Sequence, residues 1–403
     1  MNTLLVMRNA PTPTTGANMR NLALLRALCQ ISAVSLLIIA DDVPRETQRA
    51  EAVRPLVATQ VIVPATRASL KRLYQLAGVL LNRPSMVWLN SSAAAASALD
   101  RLVARGGFDV VYFEGIAVTG HAPRSGPALV IDEHNLEWEL LERSAVQATS
   151  PLRRLQNARE SRALRRYELD MLGRADLVIV TSERERDALA ELLPGQRVCV
   201  VSNGVDIERF TPPDAQAEIA GRVVFTGTMD YHPNEQAARF FAEQCWPLVR
   251  AARPDASWAI VGANPPDSVW RLADDAAGVI VTGSVPDTRA YIAQAQVTVA
   301  PLLVGGGTRL KILEALAMGK AMVATSLGAE GLHLTPDEHL LIADQPAAFA
   351  QAVVRALDDA ALRARLGAAG REAVVRQYSW ESSARALQQA LRSLKTLATP
   401  AER

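Results

Sequence analysis

The chain has almost no net charge to offer: 43 lysines and arginines stand against 42 aspartates and glutamates in 403 residues, a formal +1. Neutralising a nucleic-acid backbone needs a basic excess or a dense basic stripe, so binding by bulk charge is excluded and any anion site has to be local. Cysteine is nearly absent too. Cys29, Cys199 and Cys245 are far apart and odd in number, which suggests neither a disulfide framework nor a zinc site and fits a reducing compartment. No apolar run approaches the ~20 residues needed to cross a bilayer. Leu4–Met7 has no basic region before it and Arg8 directly after it, so it reads as a first buried strand rather than a signal peptide. Low-complexity tracts and short-period repeats are missing, and no GxGxxG follows the first strand, which speaks against an NAD-dependent dehydrogenase. These absences leave a soluble, cytoplasmic chain that can still touch a membrane surface. Its 49% apolar residues suffice for two or three sizeable cores.

What is present is an alternation. Short apolar runs at Leu4–Met7, Val34–Ile39, Val61–Val63, Val110–Phe113, Leu129–Ile131, Leu177–Val180 and Val198–Val201 are separated by turns and helical stretches such as Ala17–Gln30 and Ala68–Leu81. The pattern restarts with Val223–Thr226, Trp258–Val261, Val279–Thr282, Val297–Ala300 and Met322–Thr325, alternating with helices from Asn234, Ser268, Thr288, Thr308 and Pro346. Strands alternating with helices make parallel sheet covered on both faces. Between the halves lies Ser202–Gly221, with Pro212-Pro213; an interior proline costs a helix roughly 3 kcal/mol, so this is the linker. The spacing predicts two doubly wound α/β domains. Residues 1–203 form the first, with 378–397 returning to it, and 204–377 form the second. Such sheets bind ligands beyond the C-terminal ends of their strands, and two of them face to face would make a cleft.

The stretch richest in chemistry is Ala300–Thr325. A strand ends at Pro301, Gly305, Gly306 and Gly307 follow, and Thr308 stands where a helix should start. Glycines ahead of an N-capped helix let backbone amides approach an anion. Arg309 and Lys311 in the first turn oppose the helix dipole, which makes sense where a diphosphate binds. Glu314, one turn on, can accept two hydrogen bonds from a ribose diol. An ordinary loop with Lys311 and Glu314 as a surface ion pair fits the same residues.

Four segments together resemble the second half of glycosyltransferase family 4: Val224–Phe241, Ala259–Pro265, Val281–Leu302 and Gly307–Thr325 occur in that family's order and spacing, and Tyr378–Glu381 resembles the point where its last helix returns to the first domain. The resemblance implies a GT-B fold, with two Rossmann-like domains facing across a cleft. It also implies retaining transfer from a nucleotide-diphosphate sugar of UDP or GDP type, without a metal or other cofactor. On it, Gly227, Asn234, Val285, Gly305, Gly306, Gly307, Thr308, Arg309, Lys311 and Glu314 line the donor. Two departures stand out. Gly306 occupies the place of the first glutamate in the family's Glu-seven residues-Glu pattern, which puts contacts to the sugar ring in question. Thr228–Asn234 replaces the usual Arg-and-Lys pair, so Arg309 and Lys311 take over the phosphate charge.

In the first half, Pro11–Leu28 is a turn-rich loop with Gly16 just before a helix. It reads as a second backbone approach to the diphosphate, or as a simple strand-to-helix turn. Arg20 either faces the ligand or coats the helix. Val130–Glu139 places His134, Asn135 and Glu137 after a strand end. A lone histidine is often structural, but family 4 members carry one here near the transferred sugar, and Asn135, Glu137 and Arg20 are candidates for the acceptor. The expected catalytic set is therefore His134, Arg309, Lys311 and Glu314, acting on a glycan or lipid-linked acceptor. Two basic helices, Ser69–Pro84 and Pro151–Glu168, either rest on anionic lipid or present solvated faces. Two other activities compete: a GT-B nucleotide-sugar 2-epimerase, for which His134 lacks a second acid/base partner, and a catalytically silent nucleotide-sugar-binding subunit.

Overall fold

The computed structural model describes residues 1–12, 16–66, 83–147, 150–213, 218–305 and 309–395. The chain divides into two compact units, Met1–Ser202 with Ser383–Arg403, and Asn203–Ser382. In the first, β1 (Asn2–Met7), β2 (Ala33–Ala40), β3 (Thr59–Pro64), β4 (Val110–Glu114), β5 (Ala128–Asp132), β6 (Leu177–Val180) and β7 (Val198–Val200) form one parallel sheet in the order β3-β2-β1-β4-β5-β6-β7. In the second, β8 (Arg222–Thr226), β9 (Ser257–Val261), β10 (Val279–Val281), β11 (Val297–Ala300), β12 (Ala321–Ala324) and β13 (Leu341–Ile342) form another, ordered β10-β9-β8-β11-β12-β13. Both are doubly wound, Rossmann-like units.

The apolar runs make these sheets because successive side chains point to opposite faces and both faces are covered. In the first sheet Leu4, Val6, Val111, Phe113 and Ile131 join one core. Their neighbours Leu5, Met7, Val110, Tyr112 and Val130 join the other. The helix Trp380–Lys395 contributes Leu387, Ala390 and Leu391 to that second core, so the later part of this helix packs on the first sheet. In the second sheet Val223, Phe225, Trp258 and Ile260 face a core shared with Phe241, Trp246 and Phe349. Phe241 meets Trp258 edge-on at 4.7 Å, a geometry aromatic quadrupoles favour.

Each sheet reverses its strand order once, between β1 and β4 and between β8 and β11. The loops leaving those strands diverge, and the crevice they leave is where such sheets hold ligands. The helix starts differ from expectation at one important place. The helix expected from Thr308 begins at Leu310, with Arg309 at its N-cap and no capping side chain, so only Lys311 of the two cations lies in the first turn. Gly306, Gly307, Thr308 and the helix expected at Ala68–Leu81 lie outside the described residues, as does most of the basic segment Ser69–Pro84.

Candidate functional site

At the β8/β11 reversal the two loops bring together residues far apart in sequence. The helix Leu310–Ala317 buries Ile312, Leu313, Leu316 and Ala317 inward. That orientation leaves Lys311 and Glu314, three apart on one face, half-buried at its side. Lys311 Nζ donates to Asn234 Oδ1 at 2.6 Å and sits 4.3 Å from the centre of the ring of Phe225, the penultimate residue of β8. Asn234 is oriented by its own Nδ2, which donates to the Thr228 carbonyl at 2.9 Å. Gly227 completes the group. A Cβ there would fall 2.7 Å from Asn234 Nδ2 and 3.0 Å from Lys311 Nζ, so only glycine leaves room for the pair.

Gly305 has φ 115°, in the region that glycine alone enters readily. The Arg309 guanidinium lies against it, 3.2 Å from where a Cβ would stand, and Arg309 is buried, with only 7% of its surface exposed. The electrostatics follow from this packing. Burial, reinforced by the nearby Arg309 charge, lowers the Lys311 pKa to about 7. Burial raises the Glu314 carboxyl to about 7, with Lys311 and Arg209 pulling it back down. A cation held partly desolvated beside a second cation gains by meeting an anion. Val285 lies just past the end of β10 at the same edge of the sheet, half-buried against Val224, Ala259 and Val261.

The first unit's strand ends carry a different chemistry. His134 follows β5, with Nε2 3.4 Å from Glu114 Oε1 at the end of β4, and both side chains are about one-sixth exposed, at 17% and 15%. Asn135 Oδ1 is buried with no hydrogen-bond partner among the described residues. Glu137 opens the helix Glu137–Gln147, and burial, with the Glu114 and Glu185 charges, raises its carboxyl to about 7. Glu168 anchors that helix start by accepting from the backbone N–H of Glu137 at 3.1 Å and of Trp138 at 3.3 Å. Gly16 is the first residue of the helix Gly16–Cys29; the loop before it lies outside the described residues. His134, Asn135 and Glu137 therefore share one polar edge rich in groups that bind hydroxyls.

Arg20 does not join them. Its guanidinium is 1% exposed, donates from Nη2 to Asp132 Oδ1 at 2.7 Å and from Nη1 to the Val201 carbonyl at 2.7 Å, and shares Asp132 with the Tyr112 hydroxyl, 2.9 Å away. A buried arginine–carboxylate pair is part of the fold, and the expectation that Arg20 contacts an acceptor is corrected on that ground. Phe225, Glu114 and Arg209 were missed. Phe225 reads as core from its strand. Glu114 and Arg209 act on partners distant in sequence, and only a strand-end position for Glu114 hinted at a role. Among the described residues no three His, Cys, Asp or Glu side chains are arranged as metal ligands, and no helix is long and apolar enough to cross a membrane.

Comparison with known proteins gives a consistent picture. Residues 220–359 match the family model of glycosyl transferases group 1, and residues 16–209 match that of glycosyltransferase family 4. The chain is 27% identical over 271 residues to a D-inositol 3-phosphate glycosyltransferase of Corynebacterium urealyticum, covering 61% of this chain and 63% of that protein. It is 28% identical over 197 residues to a GDP-mannose-dependent monoacylated alpha-(1-6)-phosphatidylinositol monomannoside mannosyltransferase of Corynebacterium glutamicum, covering 44% and 52%. The matched stretch thus spans less than two thirds of either relative. The solved sucrose-phosphate synthase of Thermosynechococcus elongatus superposes with a TM-score of 0.71 at 19% identity, over 99% of this chain and 100% of that one, a likeness of fold.

Proposed function

The chain belongs to the family 4 glycosyltransferases, and from that premise we propose that it transfers a sugar, with retention, from a nucleotide-diphosphate donor of UDP or GDP type to a hydroxyl of a glycan or lipid-linked acceptor. The observation that carries the proposal is the convergence of Lys311, Asn234 and Gly227 at the β8/β11 crevice, with Arg309 beside them. A diphosphate leaving group needs no protonating acid, unlike the alcohol expelled in glycoside hydrolysis. It needs positive charge already in place as the bond to the anomeric carbon breaks. Lys311 and Arg309 supply that charge, and Glu314 accepts hydrogen bonds from the ribose diol. The new bond forms from the acceptor oxygen to the anomeric carbon as the bond to the diphosphate oxygen breaks. The departing oxygen takes the acceptor's proton on the same face, so no metal and no protein base is called for.

His134, Asn135 and Glu137 supply polar contacts to sugar hydroxyls. Both curated relatives are named for inositol-phosphate acceptors, which supports an acceptor of cell-surface glycan or glycolipid type and work at the cytoplasmic face of a membrane. Lys311→Ala and Glu314→Ala, each folded as judged by circular dichroism, are expected to lower donor turnover by ~10-fold or more. Kinetics like the wild type in both would remove the proposed site. Donor binding without transfer or hydrolysis by the wild type would favour a silent binding subunit.

A further inference from the structure

The helices Glu137–Gln147 and Pro151–Arg174 form a hairpin on the first unit whose outer face the proposed reaction does not use. Ser161, Ala163, Leu164, Glu168, Met171 and Leu172 turn one side of the second helix inward. Arg153, Arg154, Arg159, Arg162, Arg165 and Arg166 are all exposed. At about 100° per residue, all of these except Arg153 fall on one arc of roughly 140°, opposite the buried side. Of the acids in Pro151–Arg174, Glu160 is half-buried and accepts from Ser85 N–H and Oγ, Glu168 is buried, and Asp170 alone is exposed, against six exposed arginines before it. In a chain whose total charge is +1, this is a local concentration of cations.

Within the same arc stands Leu155, 60% exposed, and near the end of the preceding helix stands Val146, 75% exposed. Among the described residues these are the two most exposed large hydrophobic side chains, and both lie close to the short connection between the helices. Single exposed apolar residues are commonplace. Two of them at the tip of a hairpin flanked by arginines match a lipid–water interface, where guanidinium groups pair with phosphates and short apolar side chains enter the acyl boundary. A single-stranded nucleic acid would meet the arginines but gain nothing from Val146 and Leu155. It stacks instead on open aromatic faces, whereas Trp138 is covered by Arg165 at 5.1 Å and Tyr167 is half-buried with its hydroxyl bonded to Thr119.

We infer that the outer face of this hairpin docks the protein onto an anionic lipid bilayer, with Val146 and Leu155 inserted and the arginines of Pro151–Arg174 on the lipid phosphates. The inference uses no residue of the proposed donor site. Its test is co-sedimentation of the full chain, without donor or acceptor, with phosphatidylcholine vesicles and with vesicles containing phosphatidylglycerol. Binding is expected only to the second kind and to fall as salt rises. The variant R162Q/R166Q should bind about 25-fold more weakly, at about fivefold per arginine. V146S/L155S should bind several-fold more weakly while keeping its salt dependence. If the double variant fails to fold, R162Q and R166Q are measured singly, each expected about fivefold weaker. Equal binding to both vesicle types, or arginine variants that bind like the wild type, would overturn the inference. So would unchanged binding by V146S/L155S together with equal affinity for single-stranded RNA, which would mark a general polyanion surface.

Discussion

Consider the donor affinity of the wild-type chain at about pH 5.5, 7.0 and 8.5, measured with an intact nucleotide sugar, whose diphosphate keeps a constant charge over that range. Productive binding, on the proposed roles, needs Lys311 protonated and Glu314 ionised, and each titrates near 7. The signs oppose one another. Lys311 has a depressed pKa and loses its charge as pH rises through about 7, whereas Glu314 has a raised pKa and loses its charge as pH falls through about 7. Apparent affinity scales with the competent fraction, which is about one quarter at pH 7 and about 3% at either extreme, a bell with an ~8-fold fall on each side. Titration calorimetry at fixed ionic strength reads the affinity, and repeating it in buffers of different ionisation enthalpy reads the proton uptake. Lys311→Arg keeps its charge at every pH used and should flatten the alkaline limb, while Glu314→Gln should flatten the acid limb. Arg309→Gln, by removing a charge that depresses Lys311, should move the alkaline limb upward. A flat wild-type profile, or an alkaline limb that survives in Lys311→Arg, would refute the assignment of the phosphate charge to this lysine.

Further outcomes follow from packing. Gly227→Ala puts a Cβ 2.7 Å from Asn234 Nδ2 and should weaken donor binding by about 10-fold through displacement of Lys311, with the melting temperature shifted by only a few degrees; an unchanged dissociation constant would count against the crevice. Arg20→Met leaves Asp132 buried without its cation and should cost about 3–5 kcal/mol in urea unfolding, while donor affinity in the folded variant stays as in the wild type. Glu133 is 1% exposed, and burial, with the Glu168 and Glu137 charges, raises its pKa well above the usual carboxylate value. The folded state therefore holds that proton more tightly than the unfolded one, and stability is lost as pH rises above ~4.5. Glu133→Gln should be more stable than the wild type at pH 7 by roughly 1 kcal/mol or more, with the gain vanishing below about pH 4, as followed by chemical unfolding at both pH values.

The strands were legible because each holds a run of apolar residues, most of them buried on both faces, and β1 to β12 coincide with such runs to within a few residues. The exception is β13, two residues long, too short for any period to register. The glycine triplet comes after β11, a strand at a reversal of sheet order, and such a strand must open into a turn. The exact helix start was less legible. Thr308 has the better capping side chain, yet the regular helix begins only after Arg309. Propensity ranks neighbouring positions and does not decide which one the tertiary packing selects.

Arg20 and Lys311 show where local reading stops. Both are cations near the start of a helix that follows a turn at the C-terminal edge of a sheet, and along the chain they look alike. Arg20 meets Asp132, 112 residues later, on a strand two places along the same sheet from β1. The carboxylate takes a short bond at 2.7 Å and a longer one at 3.4 Å from the guanidinium, and the Val201 carbonyl takes a third at 2.7 Å, so the pair closes within the fold. Lys311 meets the neutral Asn234 carbonyl, 77 residues earlier, and burial, then the Arg309 charge, lower its pKa against the pull of Glu314. An amide oxygen satisfies one donor and cancels no charge. The difference between a structural cation and a binding one therefore lies in the partner, and the partner is set by strand order. A family resemblance can place Lys311 near a donor, but the neutrality of its hydrogen-bond partner comes only from the topology, and it is on that neutrality that the proposed phosphate role rests.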